Sequence, residues 1–449
     1  MDQHILHEEM KLFKQSLAIG NIDNSLYSKY SVKNGLRNDD GTGVLVGLTK
    51  VSDVIGYRRD ESGNKIDTDG RLIYRGIDIK DIIEKSQFHE ACVFEEVCFL
   101  ILFGYLPNKE EFKTFREILA HKYKLPNGFL EGEILRFPTH NLMNKLQQDV
   151  LTLYSYDKYP DDVSLEHILD QGLHLVAKMP SLVCYNYQSK IHYFDAESMF
   201  IHHINQDKSI AENILMMSRS DRKYTTKEAE VLDTALVLHA DHGGGNNSTF
   251  VNIVMSSTGT DIYSSFAGAI GSLKGPKHGG ANLKVAAMMR AVIDEIGYDA
   301  DDEQIRMIVE RLLDKDFYDR KGLIYGMGHA VYTLSDPRSV ILQKKAKELA
   351  EEKQMREQFD FYQRFEKAAK LALFERKGVR VSSNVDFYSG FVYRMLGIPE
   401  DLYTLLFVTA RCIGWLAHNL ESQLYSGKIV RPATKYVGEI KAYIPMEER

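Results

Sequence analysis

The chain has 449 residues, 44% of them hydrophobic, with 56 basic and 63 acidic side chains and a formal net charge of −7. That length exceeds one simple core and favours two or three domains sharing a fold. The acidic balance argues against nucleic acid as the main partner, and the longest apolar run, VCFLILFGYL (97–106), is about half of what a membrane span needs.

The first 20 residues lack both an apolar h-region and an Arg/Ser-rich transit composition, so a soluble cytoplasmic protein without an export signal is expected. Residues 43–76 hold β-branched runs around the turn sequence ESGNK and predict one or two small hairpins. Cys92, Cys98, Cys184 and Cys412 form no CxxC pair and read as small core hydrophobes in a reducing compartment. Ten prolines and long stretches of 3.6-residue periodicity predict a mostly helical protein. In residues 227–242, Val231, Leu232, Ala235, Leu236 and His239 share one face, behind a capping box of Thr225 and Glu228. Residues 344–378 read as a further helical region whose charges form a solvated face.

Five polar segments could carry chemistry. In LHADHGGGNNSTF (238–250), His239 and His242 stand one helical turn apart and three glycines end the helix. A metal site, a buried structural histidine and a ligand-binding histidine all fit, although zinc needs a third protein ligand that is not adjacent. GPKHGGANLKV (275–285) puts His278 at or just before the start of a helix that runs to Gly297. The positive helix end disfavours imidazolium there, so the segment is either a capping turn or a neutral donor for an enol or enolate oxygen. GMGHAVYTLSDPRS (326–339) presents His329 in a glycine turn and, nine residues on, Arg338 at a helix start. NVDFYSGFVYRMLGIP (384–399) places Asp386 in the first turn of a helix from Val385 to Leu396, a common position for an acid on dipole grounds alone. Arg411 is expected to start the helix that carries the only tryptophan, Trp415, and Arg431 precedes a proline in an extended segment. As a set, these histidines, one carboxylate and three separated arginines suit a substrate with two carboxylates and a carbonyl, in a reaction that forms a carbanion.

In order and spacing these segments, with GRLIYRGIDIKDIIEKSQF and FEEVCFLILFGYLPNKEEF before them, resemble the citrate synthase family, which includes 2-methylcitrate synthases. The resemblance implies an all-α, two-domain homodimer with a minor N-terminal β-hairpin. Residues 1–274 and 381–449 would form the large domain and 275–380 the small one, with the site in the cleft between them. It also implies an acyltransferase that condenses acetyl-CoA with oxaloacetate and hydrolyses citryl-CoA, with no cofactor and no metal. By the same resemblance, Asp386 would be the base, His278 the donor to the thioester oxygen, and His329 the donor to the oxaloacetate carbonyl. His242, Arg338, Arg411 and Arg431 would bind oxaloacetate, with Arg431 reaching the neighbouring subunit's site, and Ile324, Gly326 and Gly328 would contact CoA. Two positions depart from the family pattern: Thr333 stands where many bacterial relatives carry a cation, and Ala433 replaces the last arginine of RPR. The alternatives are 2-methylcitrate synthesis from propionyl-CoA and, from another class, a metal-dependent hydrolase using His239 and His242.

Overall fold

The computed structural model describes residues 7, 10–11, 13–14, 22–86, 92–425 and 427–449. The last two residues of GRLIYRGIDIKDIIEKSQF and most of the first 21 residues lie outside that set. The chain divides into two units, one of residues 1–46 and 431–449 and one of residues 47–430. In the terminal unit Leu45, Tyr436, Ile440 and Tyr443 are exposed, as is Arg431 in an extended stretch.

The larger unit is helical apart from a small antiparallel sheet of β1 (Ser52–Arg59), β2 (Lys65–Tyr74) and β3 (Ile77–Asp78), in the order β1-β2-β3. The β1–β2 turn spans the ESGNK signal, where Asp60 accepts amide hydrogen bonds from Ser62 and Asn64 and Gly63 takes a positive φ.

The helices that build the core and the site are α1 (Val93–Phe103), α2 (Leu165–Phe194), α3 (Thr226–His239), α4 (Asn247–Ser256), α5 (Ala281–Ile296), α6 (Pro337–Glu352), α7 (Arg356–Lys377), α8 (Val385–Met395) and α9 (Tyr403–Tyr425). At the centre lies α9, buried without interruption from Tyr403 to Asn419 and packed against α1, α2, α3 and α4. A helix with no polar face has to be enclosed by other helices, which is why α9 becomes the axis of this unit. The four cysteines are free and buried.

Local signals place most helix ends. Thr225 and Glu228 form the reciprocal capping box of α3. Asp336 caps α6 with Pro337 at its first position, Asn384 caps α8, and Gly297 closes α5. Two expectations are corrected and one is refined. Arg411 does not start its helix but sits two turns inside α9, which begins at Tyr403 behind the turn Glu400–Leu402. The region 344–378 is two helices, because the chain leaves α6 at Lys353 and turns through Gln354 at φ 57° before α7 starts. His239 and His242 do not share a helix: α3 ends at His239, ahead of the glycines.

Candidate active site

The candidate residues are carried by two walls. The first is built on α9 and the segments packed on it. Arg411 is fully buried, its Nε donates to His239 O at 2.7 Å, and its guanidinium lies 4.7 Å from the Phe407 ring centroid. Both terminal nitrogens, Nη1 and Nη2, are buried without a hydrogen-bond partner. Burial pulls the guanidinium pKa down to about 10, with Asp241 the largest opposing influence. An unpaired buried guanidinium is costly in a resting protein and points to an anionic ligand. His278 sits in the turn just before α5, as its motif predicts, with Nε2 3.1 Å from Ser248 Oγ. Ser248 also accepts from Trp415 Nε1 at 3.2 Å, so the only tryptophan helps to fix it. Burial and then the Arg411 charge lower the His278 pKa to about 4, so the ring is neutral near pH 7.

The second wall is made of turns. Gly326 and Gly328 take φ values of 84° and 89°, which lets residues 326–329 fold back on residues 382–384. Gly328 N donates to Ser382 O at 2.7 Å, Asn384 N donates to Gly326 O at 2.9 Å, and Asn384 Nδ2 donates to Gly328 O at 3.0 Å. Asn384 Oδ1 also accepts from Asp386 N at 3.0 Å, so one side chain ties the His329 turn to the start of α8. Within the turn, His329 Nδ1 accepts from the amides of Val331 at 3.1 Å and Tyr332 at 3.2 Å, which puts the ring proton on Nε2. Arg338 Nη2 lies 3.4 Å from that Nε2. Two N–H donors this close to each other converge on a common acceptor.

Arg338 is buried and held by Asp336 through a fork, Nε to Oδ1 at 3.0 Å and Nη2 to Oδ2 at 2.8 Å. Burial opposes its charge, yet Asp336 keeps its pKa above the ordinary arginine value. Asp386 Oδ1 is buried without a partner, and burial pushes the carboxyl pKa up to about 6 against the Arg338 charge.

His242 stands between the walls, its ring 5.1 Å from that of His329 and 5.6 Å from that of Tyr332, with Nε2 buried and unpartnered. Burial, then Arg338 and His329, drives its pKa well below the ordinary histidine value. His239 has a different role. Its Nδ1 donates to Ala235 O at 2.7 Å, its carbonyl holds Arg411, and burial lowers its pKa to about 3. Of the readings open for this pair, His239 takes the structural one and His242 faces the cleft. Among the described residues no three His, Cys, Asp or Glu side chains are grouped to hold a metal ion.

The structure therefore brings His242, His278, His329, Arg338, Asp386 and Arg411 together. Arg431 belongs to the terminal unit. Ile324 is buried in the core, and the Gly326 and Gly328 backbones are engaged in holding the turn. Sequence reasoning missed Ser248, which reads as an ordinary polar residue at a helix start, and Asp336, which reads only as a cap. It also missed the buried Asp241–His418 pair, 3.1 Å apart and 177 positions apart in the chain, for which no local signal exists.

Residues 40–433 match the family described as citrate synthase, C-terminal domain. The chain is 34% identical to citrate synthase of Haloferax volcanii over 91% of its own length and 97% of that protein's. It is 37% identical to citrate synthase of Synechocystis over 85% and 89%, and 32% identical to 2-methylcitrate synthase of Shewanella oneidensis over 84% and 92%. Its fold matches citrate synthase from Pyrobaculum aerophilum with a TM-score of 0.73 at 30% identity, over 90% of this chain and 94% of that one. It also matches the Thermoplasma acidophilum citrate synthase solved with carboxymethyl coenzyme A and oxaloacetate, with a TM-score of 0.74 at 27% identity, over 93% and 99%. This chain belongs to the citrate synthase family.

Proposed function

We propose that the protein is an acyltransferase that condenses acetyl-CoA with oxaloacetate and hydrolyses the citryl thioester to citrate and CoA. The observation that carries this reading is the Asp386 carboxyl, with Oδ1 unpartnered and its pKa pushed up to about 6, near the converging donors of His329 and Arg338 and within the field of Arg411. A methyl group beside a thioester is a very weak acid, so a carboxylate base works only if the enolate oxygen is stabilised as it forms. Neutral His278 supplies that hydrogen bond. In the structure the Ser248 hydroxyl donates to Asn246 Oδ1 at 2.9 Å, so His278 can offer an Nδ1 proton to the substrate only once that hydroxyl turns to donate to Nε2 instead.

His329 Nε2–H hydrogen-bonds the oxaloacetate carbonyl and protonates the oxygen as the carbon–carbon bond closes. His242 binds the same substrate from the opposite side. Arg338 and Arg411 hold its carboxylates, and the two buried, unpartnered nitrogens of Arg411 match a two-oxygen anion.

The same reading makes the protein a cytoplasmic homodimer that needs no cofactor, with no nucleic-acid or membrane partner. Arg431 would complete the neighbouring subunit's site. Partly exposed Phe250, Val251, Ile253, Val254 and Met255 on α4, and the exposed apolar residues of the terminal unit, support an assembly that covers them. A division into a large domain (1–274 and 381–449) and a small domain (275–380) would give a cleft that closes over substrate, and Ile324, Gly326 and Gly328 would border CoA.

The test is CoA release with oxaloacetate, comparing acetyl-CoA with propionyl-CoA. Preference for acetyl-CoA is expected. Preference for propionyl-CoA would make the protein a 2-methylcitrate synthase, a reading favoured by relatives of that name at similar identity. No release with either would overturn both.

A further inference from the structure

Glu366 lies on α7, outside every motif discussed above, and is buried. Its Oε1 accepts from Ser383 Oγ at 2.6 Å and Lys370 Nζ at 2.5 Å, and its Oε2 accepts from Tyr388 Oη at 2.5 Å and Gln343 Nε2 at 3.0 Å. Gln343 Nε2 also donates to Tyr388 Oη at 2.7 Å, and Ser339 Oγ lies 3.1 Å from Ser383 Oγ. A carboxylate is the side chain suited to this place, because it only accepts and can satisfy four donors at once.

Three of those four donors sit on the elements that carry the reacting groups. Gln343 is on α6, whose second residue is Arg338. Ser383 pairs through its backbone with Met327, inside the turn that presents His329. Tyr388 is on α8, two residues after Asp386. Lys370 alone belongs to Glu366's own helix.

We infer that Glu366 is a positioning residue, a single buried anion that fixes Asp386 relative to His329 and Arg338 by binding α6, α8 and the 382–384 segment together. The inference rests on the reading of Asp386 as the base. Arg338 has an independent anchor in Asp336, whereas Asp386 Oδ1 has no partner of its own. The loss of Glu366 should therefore fall on the proton-abstraction step more than on oxaloacetate binding. Misplacement by about 1 Å of a group in a preorganised site costs on the order of a hundredfold in rate.

The experiment compares Glu366→Gln with Lys370→Met in the full-length protein, measuring kcat, oxaloacetate KM and the pH dependence of kcat. In Glu366→Gln one acceptor becomes a donor facing donors. A fall in kcat of tenfold or more is expected, with oxaloacetate KM within about threefold of wild type and the acid limb of the profile displaced. Lys370→Met should leave all three unchanged. A Glu366→Gln protein that is less thermostable but has wild-type kcat and pH profile overturns the inference. If Glu366→Gln does not fold, Tyr388→Phe and Ser383→Ala each remove one arm, and wild-type kcat in both overturns it equally. An inactive wild-type protein would instead refute the proposed function.

Discussion

Arg338 and Arg411 are the same residue type, both buried, and both aimed at the same cleft, yet the two walls treat them oppositely. Arg338 is held at both ends of its fork by Asp336, and its wall is fastened by backbone hydrogen bonds between turns. Arg411 rises from within the buried run of α9 with two nitrogens unsatisfied. The turn wall sets geometry, and the α9 wall keeps unspent hydrogen-bonding capacity that only a ligand can satisfy. The cost of that capacity is distributed over a core large enough to hold a bare cation in place.

The walls can be separated by mutation. The largest effects should come from removing one reacting group from each. Asp386→Asn and His278→Ala are each expected to lower turnover by about a thousandfold or more while the folded protein still binds oxaloacetate, measured by CoA release and by calorimetric titration. Near-wild-type turnover in either would dissolve the assigned roles. Asp386→Asn should also raise the melting temperature at neutral pH, since it removes a carboxylate that burial disfavours and whose Oδ1 has no partner.

The arginines give the sharpest contrast. Arg338→Met leaves Asp336 buried and unpaired and should destabilise the protein by about 3–5 kcal/mol, read from denaturant unfolding. Arg411→Met removes an unpaired charge and should leave stability unchanged or raised, while oxaloacetate KM increases by about a hundredfold. Equal destabilisation by both would mean the walls do not differ in the way described.

A smaller effect concerns pH. Asp386 must be ionised to act, so kcat should rise with pH through about 6 and level off above it. Stability carries contributions of both signs. His278 and His239 are held down to about 4 and about 3 in the native protein, whereas the unfolded chain takes up protons near 6.5. Their contribution is full above pH 6.5 and is lost as pH falls towards 4. Asp386, with its pKa raised from 3.8, opposes this by favouring the native state at the acid end of the same window. Among the site groups, His239, His242 and His278 together outweigh Asp386, so their net contribution to the melting temperature should fall on acidification from pH 6.5 to 4.

The smallest expected effect tests how tightly the turn wall is built. Gly326→Ala would put a methyl group 3.0 Å from Phe387 and Val285 at φ 84°, whereas the same change at Gly328 meets open space at φ 89°. Both should cost about 1 kcal/mol for the left-handed backbone, with an additional loss and lower activity only at Gly326.

Much of this was legible in the sequence because it is governed by local chemistry. The capping box at Thr225, the Asp336-Pro337 start, the helix start at Val385, the ESGNK turn and the placement of His278 just before a helix all follow from side chains acting on backbone a few residues away. The family resemblance then named candidate site residues, six of which the fold brings near one another. The helix start that went wrong, placed at Arg411 instead of Tyr403, did so where periodicity alone had to decide.

What the chain alone determined was therefore the list of groups and their local posture, because short-range hydrogen bonding and steric preference are written in adjacent residues. Only the tertiary structure decided their electrostatic state. The unpartnered fork of Arg411, the raised carboxyl of Asp386, the tautomer of His329 and the grip of Glu366 on three elements depend on burial and on partners far away in sequence. Desolvation is a property of everything packed around a group, and no stretch of sequence contains it.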